Sequence, residues 1–214
     1  IRLNYQQNLR DDCKNFSLRR WTQGGGIVNS TVRAFTLLEL LAVLGIVAIL
    51  FNLVSPGLAG WLQHRQADKV INDIARAISL ARAAAIDDGT LVTFCRSRDG
   101  RTCSGSWEAG SIVFSDHNGD RLLNGRDRLL YRLEAIKFPG QLTFRSFQNR
   151  QYLQMTPLGF TRKQNGNFTW CPQNQDSRLA QQLIINQAGR TRIAQDRDGD
   201  GYREDSQGRA LNCS

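Results

Sequence analysis

The stretch AFTLLELLAVLGIVAIL, residues 34–50, decides how the rest of the chain is read. From Phe35 to Val54 only Thr36, Glu39 and Asn52 are polar, close to the roughly 20 apolar residues that a helix needs to cross a bilayer. One acid stands inside the run. A carboxylate in hydrocarbon costs about 2.5–3.5 kcal/mol on insertion scales, so Glu39 is expected to meet a compensating cation. The preceding segment carries Arg2, Arg10, Lys14, Arg19, Arg20 and Arg33 against Asp11 and Asp12. A basic flank of this kind stays cytoplasmic, so the bulk of the chain is expected on the far side of a single membrane pass.

No Ala-x-Ala cleavage site follows the apolar run, as it would after a secretory signal that is discarded with its apolar region. A cut that keeps the run must fall before Phe35. That cut leaves an amine four residues from Glu39, while the next basic side chain along the chain is Arg65. Glu39 then has two candidate partners, the Phe35 amine of its own chain and that of a neighbouring subunit.

Ala34-Phe35-Thr36-Leu37-Leu38-Glu39-Leu40 resembles the type III signal of type IV pilins and type II secretion pseudopilins. The resemblance implies a prepilin peptidase that cuts between Ala34 and Phe35 and methylates Phe35. It also puts Glu39 where the family has the glutamate that meets a neighbour's N-terminus during assembly, and Pro56 where it has the proline that kinks its long helix. Ala34 departs from the glycine usual before the cut. Residues 1–34 are long for such a leader, which places the expected translational start nearer Arg33.

Beyond Pro56, Val70, Ile71, Ile74, Ile78, Ala81 and Ala85 form one apolar stripe, with Arg65, Lys69, Asp73, Arg76 and Arg82 on the other face. That spacing predicts an amphipathic helix packed on a globular head. Asp87-Asp88-Gly89 should end it, since glycine tolerates the left-handed turn after a helix. Strands are expected at Leu91–Cys95, Ser111–Ser115, Arg128–Leu133, Gln141–Phe147, Asn167–Cys171, Leu179–Asn186 and Arg190–Ala194, punctuated by Asn, Asp and Gly turns. The expected fold is α+β, a pilin-like lollipop whose long N-terminal α-helix packs on an antiparallel β-sheet head. Its parts are a cytoplasmic leader that is removed (1–34), a transmembrane and assembly helix (35–56), an amphipathic helical half (57–86) and a β-rich head with a disulfide-tied tail (87–214).

Cys13 lies in the leader, which leaves Cys95, Cys103, Cys171 and Cys213, an even set with three pairings open in principle. The favoured pairing joins Cys95 to Cys103, closing a short hairpin-like loop, and Cys171 to Cys213, tying the tail to a strand. An oxidising periplasm fits that topology. Zinc is the rival reading, but its ligands usually come as closely spaced pairs, which these are not. Neither His64 nor His117 has a nucleophile motif beside it, and no P-loop or Gly-x-Ser-x-Gly occurs, so an enzyme is not expected. Two acidic loops place oxygen ligands two residues apart, Asp116-His117-Asn118-Gly119-Asp120 and Asp196-Arg197-Asp198-Gly199-Asp200-Gly201. The second matches the first half of an EF-hand loop, making calcium at Asp196, Asp198 and Asp200 the one cofactor considered, although position twelve there is Gln207. Asp, Asn and Gly also simply make good turns.

The head narrows the resemblance. Val92-Thr93-Phe94-Cys95, Gly110-Ser111-Ile112-Val113-Phe114-Ser115-Asp116, Pro157-Leu158-Gly159-Phe160, Phe168-Thr169-Trp170-Cys171 and Gly189-Arg190-Thr191-Arg192 follow one another in an order similar to that of the GspH/FimT family. The resemblance implies one of two functions. A FimT-like minor pilin would sit at the tip of a pilus and bind double-stranded DNA without sequence preference, for uptake in natural transformation. A GspH-like pseudopilin or priming minor pilin would be a purely structural part of type II secretion or pilus assembly. Either begins in the inner membrane, with a periplasmic head, and partners other pilin subunits through its N-terminal helix.

Gly189, Arg190 and Arg192 match the Gly-Arg-x-Arg motif that carries DNA binding in FimT proteins, and Arg162, Lys163 and Arg178 are candidates to extend the patch. In an extended segment Arg190 and Arg192 face the same way. Charge adds little: the +9 of the whole chain falls to +5 after residue 34, where 22 Lys and Arg stand against 17 Asp and Glu. From Gly189 onward five arginines are matched by five acids.

Overall fold

The computed structural model describes residues 35–213, without the side chains of 53–57 and 59. The expected leader, with Cys13 and the cut site at Ala34, lies outside the described residues. The chain divides into two compact units with the boundary between Ala48 and Ile49.

Helix α1, Leu37–Asp87, begins in the first unit. Thr36 accepts the Glu39 N–H on its Oγ1 at 3.2 Å, satisfying one of the amides a helix start leaves without partners. Phe35, Leu37, Leu38, Leu41 and Leu44 are all exposed, as is Glu39. Among the described residues no helix is long and apolar enough to cross a membrane. The apolar run of the sequence continues through Leu53 and Val54, whose side chains are among those not described. Pro56 falls within α1 in the same short segment.

In the second unit Ala67, Val70, Ile71, Ile74, Ala77, Ile78, Ala81 and Ala85 of α1 are buried on a single stripe. Asp88 N–H bonds the Ala84 carbonyl at 2.9 Å and Gly89 follows at φ +61, so the helix stops where the sequence supplies a left-handed residue. The strands are β1 Val92–Arg96, β2 Ser111–Ser115, β3 Leu129–Leu133, β4 Gly140–Ser146, β5 Tyr152–Met155, β6 Gly166–Pro172, β7 Gln181–Ile185 and β8 Thr191–Ile193. They form two four-stranded sheets, β3-β2-β1-β5 and β4-β6-β7-β8, antiparallel throughout. The α+β class stands, with the head divided between two sheets. The strand absent from the sequence reading is β5, the edge partner of β1.

The stripe of α1 shares one core with Val92 and Phe94 of β1, Val113 of β2, Leu153 and Met155 of β5, and Phe144, Phe168 and Leu183 of the second sheet. Phe144 and Phe168 are register partners, stacked with ring centroids 4.2 Å apart, and Trp107 meets Phe168 edge-on at 4.8 Å. Such ring pairs contribute about 0.5–1.5 kcal/mol each beyond the area they bury. Cys95 bonds Cys103 and Cys171 bonds Cys213, with Cα atoms 5.5 and 5.6 Å apart. The second bond holds the tail, with Ala180, Ala194 and Leu211, against the face of the second sheet turned away from the main core.

Candidate functional site

Strands β7 and β8 are joined by the three-residue turn Gln187-Ala188-Gly189. Asn186 N–H bonds the Arg190 carbonyl at 3.1 Å, the Asn186 side chain accepts the Arg190 N–H at 2.9 Å, and Gly189 N–H closes the turn on the Asn186 carbonyl at 3.0 Å. Gly189 sits at φ +70, as the last position of a three-residue hairpin requires. It is also wedged, since a Cβ there would lie 2.5 Å from the Gly159 carbonyl oxygen and 3.3 Å from Arg82 Cδ. Arg82 of α1 in turn donates from Nε to that Gly159 carbonyl at 3.0 Å. The glycine of the motif therefore positions the turn, and the arginines are what the turn presents.

Register fixes where they point. Leu183 pairs with Ile193 and Ile185 with Thr191, and Leu183 and Ile185 are core residues. Arg192 pairs with Ile184 and so projects from the opposite, outer face, and Arg190, two residues earlier, projects with it. Both arginines are exposed, and among the described residues neither takes part in an ion pair. The same outer face continues through Ile184 and Asn167 to Arg145, successive register partners across β7, β6 and β4. Sequence alone does not single out Arg145. The Gln141-Thr143-Arg145 alternation marks its face, but only the strand order puts it in line with Arg192.

The other candidates separate. Thr161 N–H bonds the Gln187 carbonyl at 3.0 Å, which brings Arg162 and Lys163, both exposed, beside the turn. The Arg162 guanidinium reaches the β2–β3 loop, 3.1 Å from where a Gly119 Cβ would lie. Arg178 precedes β7 and so lies at the end of that strand away from the turn. It donates from Nε to the Tyr202 hydroxyl at 3.3 Å, a bond that raises its pKa further.

Asp196, Asp198, Asp200 and Glu204 bring carboxylate oxygens within 4.8 Å of one another, and Asp116, Asp120 and Asp127 do the same. In the tail, burial pushes the Asp205 carboxyl up, but the Arg209 amide and guanidinium outweigh it and hold the group below the usual carboxylate range. Asn124 and the Leu122 amide lower Asp120 likewise. A cleft of about 600 Å³ lies between the tail and the outer face of the second sheet, lined by Thr143, Arg145, Asn167, Gln182, Asp205 and Arg209.

The family model for the type II transport protein GspH matches residues 70–189. The match covers α1 from Val70 onward and every strand but β8, and stops one residue short of Arg190. No curated protein matches the chain. Among solved structures, the type IV minor pilin FimU of Pseudomonas aeruginosa is similar at 15% identity and a TM-score of 0.51, over 72% of this chain and 99% of that one. The minor pseudopilin EpsH of the Vibrio cholerae type 2 secretion system is similar at 13% identity and a TM-score of 0.45, over 60% of this chain and 95% of that one. At these identities the likeness to FimU speaks for the fold alone.

Proposed function

Since the chain belongs to the GspH family of minor pilins and pseudopilins, we propose that it is a FimT-like minor pilin whose head binds double-stranded DNA through Arg190 and Arg192. The supporting observation is the β7–β8 hairpin, which offers both arginines on one exposed face, without an ion pair among the described residues, with the chain just before Arg162 and Lys163 bonded to the turn through Thr161. Guanidinium groups about 6.6 Å apart along a strand can each take a phosphate. Phosphate contacts position a protein without reading bases, so the binding is independent of sequence and weakens as salt rises. Assembly runs through α1, with Phe35 exposed by the peptidase and Glu39 neutralised by a neighbour's amine. The subunit starts in the inner membrane and ends in the pilus.

The test is a gel shift of full-length protein in detergent with two unrelated duplexes at several salt concentrations. Arg190→Gln with Arg192→Gln should abolish the shift in a protein that keeps its melting temperature. Any residual binding should have a log–log salt slope smaller by about 1.8, at roughly 0.9 for each phosphate no longer held. Transformation should fall while pili remain. Unchanged affinity at low salt in the double variant would overturn the reading and leave the structural pseudopilin.

A further inference from the structure

We propose that the loop between β2 and β3, from Asp116 to Asp127, is a calcium site. One carboxylate oxygen from each of Asp116, Asp120 and Asp127 lies within 4.8 Å of the others. Calcium stands about 2.3–2.6 Å from each of its oxygens, so oxygens up to about 5 Å apart can share one ion.

The observation that carries the proposal is the state of Asp116. It is fully buried at the end of β2. Its Oδ2 accepts from Thr93 Oγ1 on β1 at 2.6 Å, from Gln154 Nε2 on β5 at 3.0 Å and from the Arg121 N–H at 3.2 Å. Its Oδ1 is buried and accepts no hydrogen bond among the described residues. With Oδ2 taken up by Thr93, Gln154 and the loop's own Arg121 N–H, Oδ1 is the oxygen left without a donor. Buried carboxylate oxygens need donors or a cation.

The spacing agrees with that need. Counting Asp116 as the first position of a twelve-residue calcium loop, Asn118, Asp120 and Asn124 fall at three, five and nine, the Leu122 carbonyl at seven and Asp127 at twelve. The sixth position of such loops is a glycine that makes the sharp turn. Here it is Arg121, which adopts φ +66. The Asn118 and Asn124 amides now donate to Asp120 Oδ2 at 2.7 and 3.0 Å, and rotating either amide presents its oxygen instead. Asp127 accepts the His117 and Asn124 N–H groups at 2.9 and 3.3 Å, which fixes its carboxylate toward the loop. Arg128, next in the chain, is turned to Asp88 at 3.3 Å.

The tail cluster at Asp196, Asp198, Asp200 and Glu204 lacks the decisive feature. Its aspartates are exposed and accept the loop's own Gly199, Gly201, Asp200 and Tyr202 amides, and both Glu204 oxygens accept the Arg197 N–H. The proposal is therefore confined to the β2–β3 loop, and it does not rest on DNA binding.

Calorimetric titration of CaCl2 into the full-length protein in detergent, after removal of metal with EGTA, tests it. The expected result is one saturable site and a higher melting temperature in calcium than in EGTA. Asp120→Asn with Asp127→Asn should weaken binding at least about tenfold, because affinity follows the charge count of the ligands. Asp198→Asn with Asp200→Asn should bind as the parent does. Should the first double variant fail to fold, as judged by circular dichroism in EGTA, Asp120→Asn alone decides. No saturable heat and no melting shift up to about 10 mM, above the range of the weakest modules, would overturn the proposal. So would binding that survives loss of Asp120 or is lost with Asp198 and Asp200.

Discussion

Gly189 and Gly89 allow a controlled test of how the hairpin is held. Both adopt left-handed backbone, at φ +70 and +61, but the space around them differs. A Cβ on Gly89 meets nothing within 4 Å, whereas one on Gly189 would lie 2.5 Å from the Gly159 carbonyl oxygen. Alanine in left-handed backbone costs about 1–2 kcal/mol, offset by about 0.4–1 kcal/mol because alanine has less unfolded-state freedom to lose. Gly89→Ala should therefore destabilise by about 0.5–1 kcal/mol. At Gly189 the Gly159 turn must also retreat, an overpacking cost of roughly 1–3 kcal/mol, and the Arg82 bond to that carbonyl is strained, at roughly 0.5–1.5 kcal/mol. Gly189→Ala should then cost about 2–5 kcal/mol. Urea unfolding of the full-length protein in mild detergent, followed by fluorescence of the buried Trp107 and Trp170, measures both. Equal midpoints for the two variants would refute the claim that the turn is wedged between Gly159 and Arg82, whatever the DNA assay gives.

Two further expectations concern the disulfides and assembly. With 42 residues of separation against 8, loop-closure entropy assigns about 4 kcal/mol to Cys171–Cys213 and about 2.5 kcal/mol to Cys95–Cys103; paired Cys→Ser variants should melt in that order, and the reverse order would contradict it. Glu39→Ala should enter the membrane at least as well as the parent but be scarce in sheared pilus fractions, and normal incorporation on immunoblots would remove the amine-pairing account of Glu39.

The stripe from Val70 to Ala85 and seven of the strands can be read from the sequence because their burial follows local periodicity. Strand β5 cannot, because Gln154 takes a core-strand position and its amide is spent on Thr93 and Asp116, breaking the apolar signal. Alternation likewise says which face of a strand is buried but not which strand lies next to it, so the division into two sheets is not legible. The same limit applies to the sites. Arg190 and Arg192 are two apart and legible, while Arg145 joins them only through β4-β6-β7-β8. The Asp116 loop reads as a turn until the burial of Asp116 leaves Oδ1 without a donor among the described residues.

The five acids after Gly189 raise the question of why they would not repel DNA from Arg190. The ladder runs extended from Arg190, opposite Asn186, to Ala194, whose N–H bonds the Gln182 carbonyl at 2.8 Å. Four residues of strand are about 13 Å, so Asp196, the first acid of the tail, follows the far end of the ladder from Arg190, while Asp205 folds back into the cleft it shares with Arg145 and Asn167 on the outer face. At physiological salt the screening length is about 8 Å, so the field of Asp196 at the hairpin tip is damped, while at about 10 mM salt, with a length of about 30 Å, it is not. Asp205 is further offset by two Arg209 hydrogen bonds, at 3.0 and 2.8 Å. The carboxylates of the β2–β3 loop lie on a loop reached by the Arg162 guanidinium. A calcium ion held there would offset two formal charges of Asp116, Asp120 and Asp127, so the proposed metal site and the proposed basic hairpin would act on phosphates in the same direction.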